Sequence, residues 1–158
     1  MIETARCRIR RFRADDVDPA HAYLGDPDVM EFVEAPFDRD RTERFIVDAG
    51  LPDPPLMYAV ESLGSGQLVG HVIFHPWHGV STWEVGWILR KDSWGRGLAS
   101  ELSLALFDHG FGRLGVDRIV AEADPSNTAS IRVMERVGMV RAPELDRDLP
   151  VWQIERRS

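Results

Sequence analysis

The sequence predicts an α/β fold in which helices cover a mixed β-sheet. Three observations support this prediction. The length of 158 residues is typical of one domain, and the hydrophobic fraction of 44% is enough for a core. Apolar runs typical of strands also alternate along the chain with apolar residues at helical spacing. No internal repeat, low-complexity tract or second unit is evident, so we expect residues 1–158 to form a single domain.

The first half of the chain is predicted to contain one strand, two helices and a β-hairpin. Residues 6–13 alternate apolar side chains with five arginines and predict the first strand. Asp15 and Asp16 stand where the N-cap of a first helix is expected, and a second helix is predicted over residues 38–49. Apolar runs on either side of the glycine-containing turn 63–66 predict the hairpin.

The connection between those two helices, residues 29–37, mixes apolar side chains with Glu31 and Glu34. Two interpretations stay open. The segment forms either a pocket with acidic edges for an acceptor substrate or only a packed connection.

The second half is predicted to alternate strands and helices. Strands are expected over residues 83–89 and 118–123, and helices over residues 98–111 and from residue 128 to Gly138. One or two further strands end the chain, the last over residues 151–155.

The turn between the strand 83–89 and the following helix is the most informative stretch. Gly95 and Gly97 allow backbone conformations that are closed to other residues, and the first amides of a helix have no partner inside it. Such amides form a site for a phosphate or pyrophosphate, to which Arg96, Arg90 and Lys91 add positive charge. The same glycine spacing is also typical of a simple tight turn, so the glycines alone leave both interpretations open.

Charge and composition exclude several classes of function. A formal net charge of -7 and a pI near 5.2 argue against nucleic-acid binding, which needs a basic face, and fit a cationic partner better. The single cysteine, Cys7, excludes an internal disulfide framework. No apolar run is long enough for a membrane span and the N-terminus does not resemble a secretion signal, so we expect a cytoplasmic protein.

The histidines and tryptophans do not predict a metal or cofactor site. His71 and His75 would lie on one strand face about 13 Å apart, at about 3.3 Å per residue, which is too far to share an ion. His75 and His78 could approach each other, but no further ligand is evident, so we predict no metal. The tryptophans at positions 77, 83, 87 and 94 are expected in the core or in a pocket wall.

Three segments, residues 85–89, 94–101 and 127–139, carry a family resemblance. Together they resemble the GNAT superfamily of N-acetyltransferases that use acetyl-coenzyme A (acetyl-CoA), and within it the branch named for ribosomal-protein alanine N-acetyltransferases. The resemblance covers nearly the whole chain, because residues 10–16 and the hairpin through Gly70 also match in order and spacing. It implies a mostly antiparallel central sheet with helices on both faces.

The resemblance also implies where the cosubstrate acetyl-CoA binds. Its pyrophosphate would lie on the turn amides. Its pantetheine arm would pair, like an added strand, with the main chain near the end of the fourth predicted strand. An asparagine would hold the arm near its sulfur. The residues at these positions are Gly95, Arg96, Gly97, Leu98 and Ala99 for the pyrophosphate, Ile88, Leu89 and Arg90 for the pantetheine, and Asn127. Asp92 departs from the family pattern, which usually has Gln or Arg there; Arg90 or Arg96 is the candidate to compensate.

Acetyl transfer to an amine needs a base, a polarised thioester carbonyl and a proton for the leaving thiolate. Glu84 is the candidate base, acting directly or through a water, with His75 as the weaker candidate. Met134 occupies the place of the usual tyrosine acid, so Ser130 becomes the candidate acid, as in the ribosomal-protein branch. Each of these residues also has a purely structural interpretation. Glu84 is then an ordinary polar residue on a strand face, and Ser130 and Asn127 are helix caps.

The acceptor is expected to be a primary amine. At pH 7, neutralising an α-amine costs about 1 kcal/mol and neutralising a lysine costs about 4.6 kcal/mol, so an α-amine or a similarly weak base is the easier acceptor. The resemblance to the ribosomal-protein branch implies a protein N-terminus. A small amine such as a polyamine or aminoglycoside is the alternative. A CoA-binding module without catalysis, and more distantly a dinucleotide-binding enzyme, are the rival classes. The oligomeric state, monomer or homodimer, stays open.

Overall fold

A single eight-stranded β-sheet organises the computed structural model, which describes residues 1–158. The strands are β1 (Ile2–Glu3), β2 (Cys7–Arg10), β3 (Met57–Ser62), β4 (Leu68–Pro76), β5 (Thr82–Leu89), β6 (Arg118–Glu122), β7 (Val140–Arg141) and β8 (Val151–Glu155). The helices are α1 (Val17–Leu24), α2 (Pro27–Met30), α3 (Arg39–Phe45), α4 (Leu98–His109) and α5 (Thr128–Arg136).

The strands follow the order β1-β2-β3-β4-β5-β6-β8-β7, and every neighbouring pair is antiparallel except β5 and β6, which are parallel. The crossover from β5 to β6 runs through α4, because parallel neighbours need a long connection. The predicted mixed, mostly antiparallel sheet is therefore confirmed.

Helices pack on both faces of the sheet over two separate clusters of buried side chains. On one face, Leu102 and Leu106 of α4 and Met134 of α5 pack over Val72 and Val85 of the central strands. The other face carries the second cluster, which includes Ala20 and Leu24 of α1, Met30 of α2, Ile46 after α3, and Ala59 of β3. Both faces of the central strands are thus buried.

Local details at the N-terminus differ from the prediction. The strand β1 and the four-residue helix α2 were not predicted. Asp16 precedes α1, but its side chain does not cap that helix. Its carboxylate instead accepts from the guanidinium of Arg10 at 2.8 and 2.9 Å and from the N–H of Arg13 at 2.8 Å. The N-cap prediction is wrong for Asp16, since a buried arginine holds the carboxylate.

Four of the five arginines in residues 6–13 form ion pairs, and Arg13 does not. Arg10 is also paired with Glu61 at 2.8 Å, and Arg6 contacts Glu101 of α4 at 2.7 Å. The predicted explanation, local ion pairing rather than a nucleic-acid surface, is consistent with these contacts. None of the helices is both long and apolar enough to cross a membrane.

The feature that positions the site is the separation of β5 from β6. The two parallel strands pair only at Thr82–Arg118, Trp83–Ile119 and Glu84–Val120. Beyond Glu84, β5 continues to Leu89 with its β6-facing edge unpaired. The sheet therefore opens into a cleft at this point.

Candidate active site

The cleft beside β5 has a volume of about 550 Å³ and is formed by three structural units. One wall comes from α2 and the residues after it, and the floor from the end of β5. The opposite wall is formed by the turn into α4 and by α5. Among the predicted site residues, Ile88, Leu89, Gly95, Gly97, Leu98, Ala99, Asn127 and Ser130 line it, whereas Glu84, Arg90 and Arg96 do not.

The turn into α4 presents a continuous run of free amides. The N–H groups of residues 95–100 donate no hydrogen bond to any protein atom. Gly97 occupies the N-cap position with a left-handed φ of 76°, and it has no side-chain oxygen to satisfy the first turn. Gly95 has a φ of 72°, which explains why glycine stands at both positions. This geometry suits an anionic ligand such as a pyrophosphate.

The free edge of β5 supplies main-chain groups to the same cleft. The N–H of Arg90 donates to the carbonyl of Val69 on the β4 side. Because successive residues of a strand direct their main-chain groups to opposite sides, Ile88 and Arg90 are paired with β4. Trp87 and Leu89 direct their main-chain groups to the cleft instead, where the carbonyl of Leu89 already accepts from the indole N–H of Trp94 at 3.0 Å. An added strand would therefore pair with Trp87 and Leu89 rather than with the main chain of Ile88 and Arg90.

The start of α5 contains both side chains expected near the thioester. Asn127 caps this helix, since its Oδ1 accepts from the N–H of Ser130 at 3.2 Å. The hydroxyl of Ser130 makes no hydrogen bond in the structure and remains free. Met134, one turn further along α5, is only 2% exposed and packs in the core, so it contributes nothing to the cleft surface.

The wall formed by α2 and the following turn is apolar with acidic edges. Val29, Phe32 and Val33 line it, with Phe32 and Val33 exposed. Asp28 and Glu31 lie beside them in the cleft. The structure thus includes Val29 and residues 31–33 of the connection in the cleft wall, as the acceptor-pocket interpretation requires, whereas Met30 points into the core.

The acidic edge is largely neutralised by ion pairs. Asp28 contacts Lys91 after β5 at 2.6 Å, and Glu34 is paired with Arg41 of α3. Glu31 has no basic side chain within ion-pair distance. One unpaired carboxylate therefore remains at this wall.

Glu84 lies on β5 at the last position where this strand pairs with β6. Its carboxylate is 3.3 Å from Nε2 of His75, and the neighbouring β6 residue Glu122 lies on the same face. The pKa of Glu122 is raised by burial, by the charge of Glu84 and by that of Asp148. Glu84 is four residues, about 13 Å, from Ile88 along the strand, at the inner end of the opening.

Asp92, at which the sequence departs from the family pattern, forms an ion pair with Arg90. Its carboxylate accepts from Arg90 at 2.9 Å, so the charge of Arg90 is directed to Asp92 rather than to the turn. Arg96, between the two glycines, has no carboxylate partner and is exposed. Arg90 and Arg96 were the two candidates to supply the positive charge that Asp92 lacks. Only Arg96 has no ion-pair partner and remains available for this role.

Comparison with known proteins agrees with this geometry. Residues 6–140 match the model of the acetyltransferase (GNAT) domain. The chain belongs to the GNAT acetyltransferase family. The relatives of this acetyltransferase include the uncharacterized N-acetyltransferase YnaD of Bacillus subtilis, 30% identical over 140 residues that cover 89% of this chain and 82% of YnaD.

Solved structures share the whole fold of this acetyltransferase. A GNAT-family acetyltransferase from Bacillus anthracis superposes with a TM-score of 0.87 at 31% identity, covering 98% of this chain and 97% of that one. A putative ribosomal-protein-serine acetyltransferase from Vibrio cholerae has a TM-score of 0.84 at 22% identity, covering 98% and 97% of the two chains. The second similarity concerns the fold alone.

Several cleft residues of the acetyltransferase were missed by sequence reasoning. The main-chain groups of Trp87 and the side chains of Ser100, Arg132 and Arg136 belong to this set. The arginines stand four residues apart on α5, a spacing that places both on one helix face and could have indicated them. The Ser100 hydroxyl is buried without a partner in the first turn of α4, and no sequence signal distinguishes it from a cap.

Proposed function

We propose that this acetyltransferase moves the acetyl group of acetyl-CoA directly to the α-amine of a peptide or protein N-terminus. The observation that carries the proposal is the combination, in one cleft, of six consecutive free amides with an unpaired strand edge. The amides suit a pyrophosphate, and the edge suits the two amide groups of a pantetheine arm. Acetyl-CoA contains both groups in one molecule.

The arm would direct the thioester towards the junction of β5 and α5. There, the free N–H of Leu89 or Trp87 is the donor that would polarise the thioester carbonyl. The amide group of Asn127 would hold the arm near its sulfur. Its Oδ1 is already occupied by the cap of α5, so its NH₂ group is the one available.

Transfer needs a neutral amine. The amine nitrogen attacks the thioester carbon, the C–S bond breaks, and the amine gives up one proton while the thiolate gains one. Glu84 stands on β5 at the last position where this strand pairs with β6, just outside the cleft lining, and is the proposed proton acceptor through a water that bridges it to the amine. The free hydroxyl of Ser130 is the proposed donor to sulfur.

The cleft wall favours an α-amine over a polyamine or an aminoglycoside. A polycation would need several unpaired carboxylates, yet Asp28 and Glu34 are already paired with basic side chains. Glu31 is left as a single anionic group beside Val29, Phe32 and Val33. One charge beside an apolar wall suits a mono-amine that carries an apolar side chain.

Two measurements test the proposal. Calorimetry should detect binding of acetyl-CoA and of CoA. A panel of amines assayed for thiol release should then rank a peptide with a free N-terminus above spermidine, an aminoglycoside and the same peptide with a blocked N-terminus. Binding without thiol release for any amine would favour a CoA-binding module, and the absence of binding would refute the proposal.

A further inference from the structure

Glu84, the proposed proton acceptor, has a single charged partner. Its Oε2 forms an ion pair with His75, and no arginine or lysine lies within ion-pair distance of this carboxylate. Its other oxygen, Oε1, forms no hydrogen bond with the protein and stays accessible to solvent. The carboxylate is therefore held at one oxygen and free at the other.

The register of the sheet brings this pair together. His75 and Glu84 stand directly opposite each other on the neighbouring strands β4 and β5, so their side chains project from the same face of the sheet. Both side chains are mostly buried, with 22% and 21% of their surface exposed. Of the five histidines in the chain, only His75 lies within ion-pair distance of a carboxylate. The contact is thus specific to this position.

A like charge acts on Glu84 from the other neighbouring strand. Glu84 is opposite Val120 of β6, and Glu122 stands two residues further along β6 on the same face. The pKa of Glu122 is raised by its burial and then by the charge of Glu84, so the two carboxylates interact. A glutamate side chain also has several rotatable bonds and no fixed position of its own. Glu84 therefore needs a partner to stay beside the cleft.

We propose that His75 is a positioning residue for acetyl transfer: its imidazole holds Oε2 of Glu84, which leaves Oε1 free to act on the water that contacts the amine. The water accepts the amine proton while it gives one of its own to Oε1, and His75 keeps its protons throughout. This inference rests on the proposed role of Glu84 as the proton acceptor. It goes further, because it gives His75 a function that involves no proton transfer.

Two neutral substitutions separate positioning from packing. Glutamine can place its amide NH₂ near the position of Nε2 and keeps a donor for Glu84, whereas the shorter asparagine reaches only as far as Nδ1. His75→Asn should lower kcat about 10- to 100-fold, since a displacement of about 1 Å can cost about 100-fold in rate. His75→Gln should keep a clearly larger part of kcat. The assay measures thiol release from acetyl-CoA with the best acceptor among the free peptide, spermidine and the aminoglycoside.

Both variants should leave the KM for acetyl-CoA and the affinity for CoA unchanged, because His75 does not line the cleft. Denaturant unfolding checks that both are folded, and an equal loss of stability cannot explain a difference in kcat between them. In a Glu84→Gln background, His75→Asn should cause no further loss of kcat, because no carboxylate is left to position.

His78→Asn is the matched control. His78 is an exposed histidine shortly after β4 without a carboxylate partner, and asparagine tolerates its positive φ of 48°. It should leave kcat unchanged. Wild-type kcat in His75→Asn, equal losses in His75→Asn and His75→Gln, or a further loss in the Glu84→Gln background would overturn the positioning role and leave the proposed function standing. Wild-type kcat in Glu84→Gln, or no thiol release with any amine, would overturn both the positioning role and the proposed role of Glu84.

Discussion

The imidazole Nε2 of His75 lies 3.3 Å from the carboxylate Oε2 of Glu84. On the other side of the ring, Nδ1 is 2.8 Å from the carbonyl oxygen of Pro76. A carbonyl and a carboxylate only accept hydrogen bonds, so both ring nitrogens are placed to donate. Accordingly, the pKa of His75 is raised above its ordinary value, mainly by the hydrogen bond with Glu84. With both ring nitrogens directed at these acceptors, neither is placed to take a proton from an amine, so the geometry favours Glu84 over His75 as the base.

The variant Glu84→Gln should lower the pKa of His75, which NMR titration of the histidine measures directly. A raised His pKa stabilises the folded state fully below pH 6.5, and this contribution is lost as pH rises through the raised value. The stability difference between wild type and variant should therefore be larger at pH 6 than at pH 9, by about 0.5 to 1 kcal/mol. Unchanged titration of His75 would contradict the pairing.

The same variant should lower turnover at pH 7 and change the shape of the pH–rate profile, because the proposed proton acceptor is lost. The exposed Glu155, which pairs with Arg118 away from the cleft, provides the matched control Glu155→Gln. That control should keep the wild-type profile. If Glu84→Gln has wild-type kinetics, Glu84 is not part of the mechanism.

Gly95→Ala should weaken CoA binding, whereas Gly66→Ala should not. Both glycines have left-handed φ angles, 72° and 70°, and an added Cβ would meet no atom within 4 Å at either site. Each variant should therefore lose about 1 to 2 kcal/mol of unfolding free energy from backbone strain. Only Gly95 belongs to the turn with the free amides. Denaturant unfolding and calorimetry on both variants separate strain from ligand contact, and equal effects on binding would contradict a role for the turn.

The strand, turn and helix that form the cleft could be predicted because their signals are local. The apolar run 83–89, the glycines at 95 and 97 and the helical spacing after Leu98 all lie within one short segment. The observed strand Thr82–Leu89 and helix Leu98–His109 differ from the predicted bounds by one or two residues.

The features that escaped prediction depend on contacts distant in sequence or on very short elements. The helix α2 has four residues, too few to show a helical period. The pairing of Asp28 with Lys91 spans 63 positions of the sequence and neutralises an edge that the sequence alone presents as acidic. The alternation that turns the main chain of Trp87 and Leu89 towards the cleft depends on the register with β4, which the sequence does not specify.

His71 should make the protein sensitive to acid. It is fully buried, its Nδ1 is 2.8 Å from the Tyr23 hydroxyl, and burial lowers its pKa to about 4. In the unfolded chain His71 binds a proton near pH 6.5, whereas in the folded chain it binds one only near pH 4. The free energy of unfolding should therefore decrease as pH falls from about 6.5 to about 4. His71 contributes about 1.4 kcal/mol per pH unit to this decrease.

The variant His71→Phe should remove that part of the pH dependence, as measured by urea unfolding at pH 7, 6 and 5. Tyr23→Phe is the control, because it deletes the hydrogen bond but keeps the histidine buried. It should cost about 1 to 3 kcal/mol at every pH while preserving the slope. An identical slope in wild type and His71→Phe would contradict the assignment.

Gly70→Ala should disrupt the strand on which the cleft is built. An added Cβ would lie 2.2 Å from the carbonyl oxygen of Ile88 and 2.9 Å from the Cα of Leu89, so the backbone of β5 would have to move. The cost should reach or exceed the upper end of about 1 to 3 kcal/mol that overpacking usually causes. Gly64→Ala, in the hairpin turn with its nearest atom 3.8 Å away, should be nearly neutral in urea unfolding. If Gly70→Ala leaves the free energy of unfolding unchanged, β5 tolerates displacement. The unpaired edge at Trp87 and Leu89 would then be too mobile for the proposed thioester geometry.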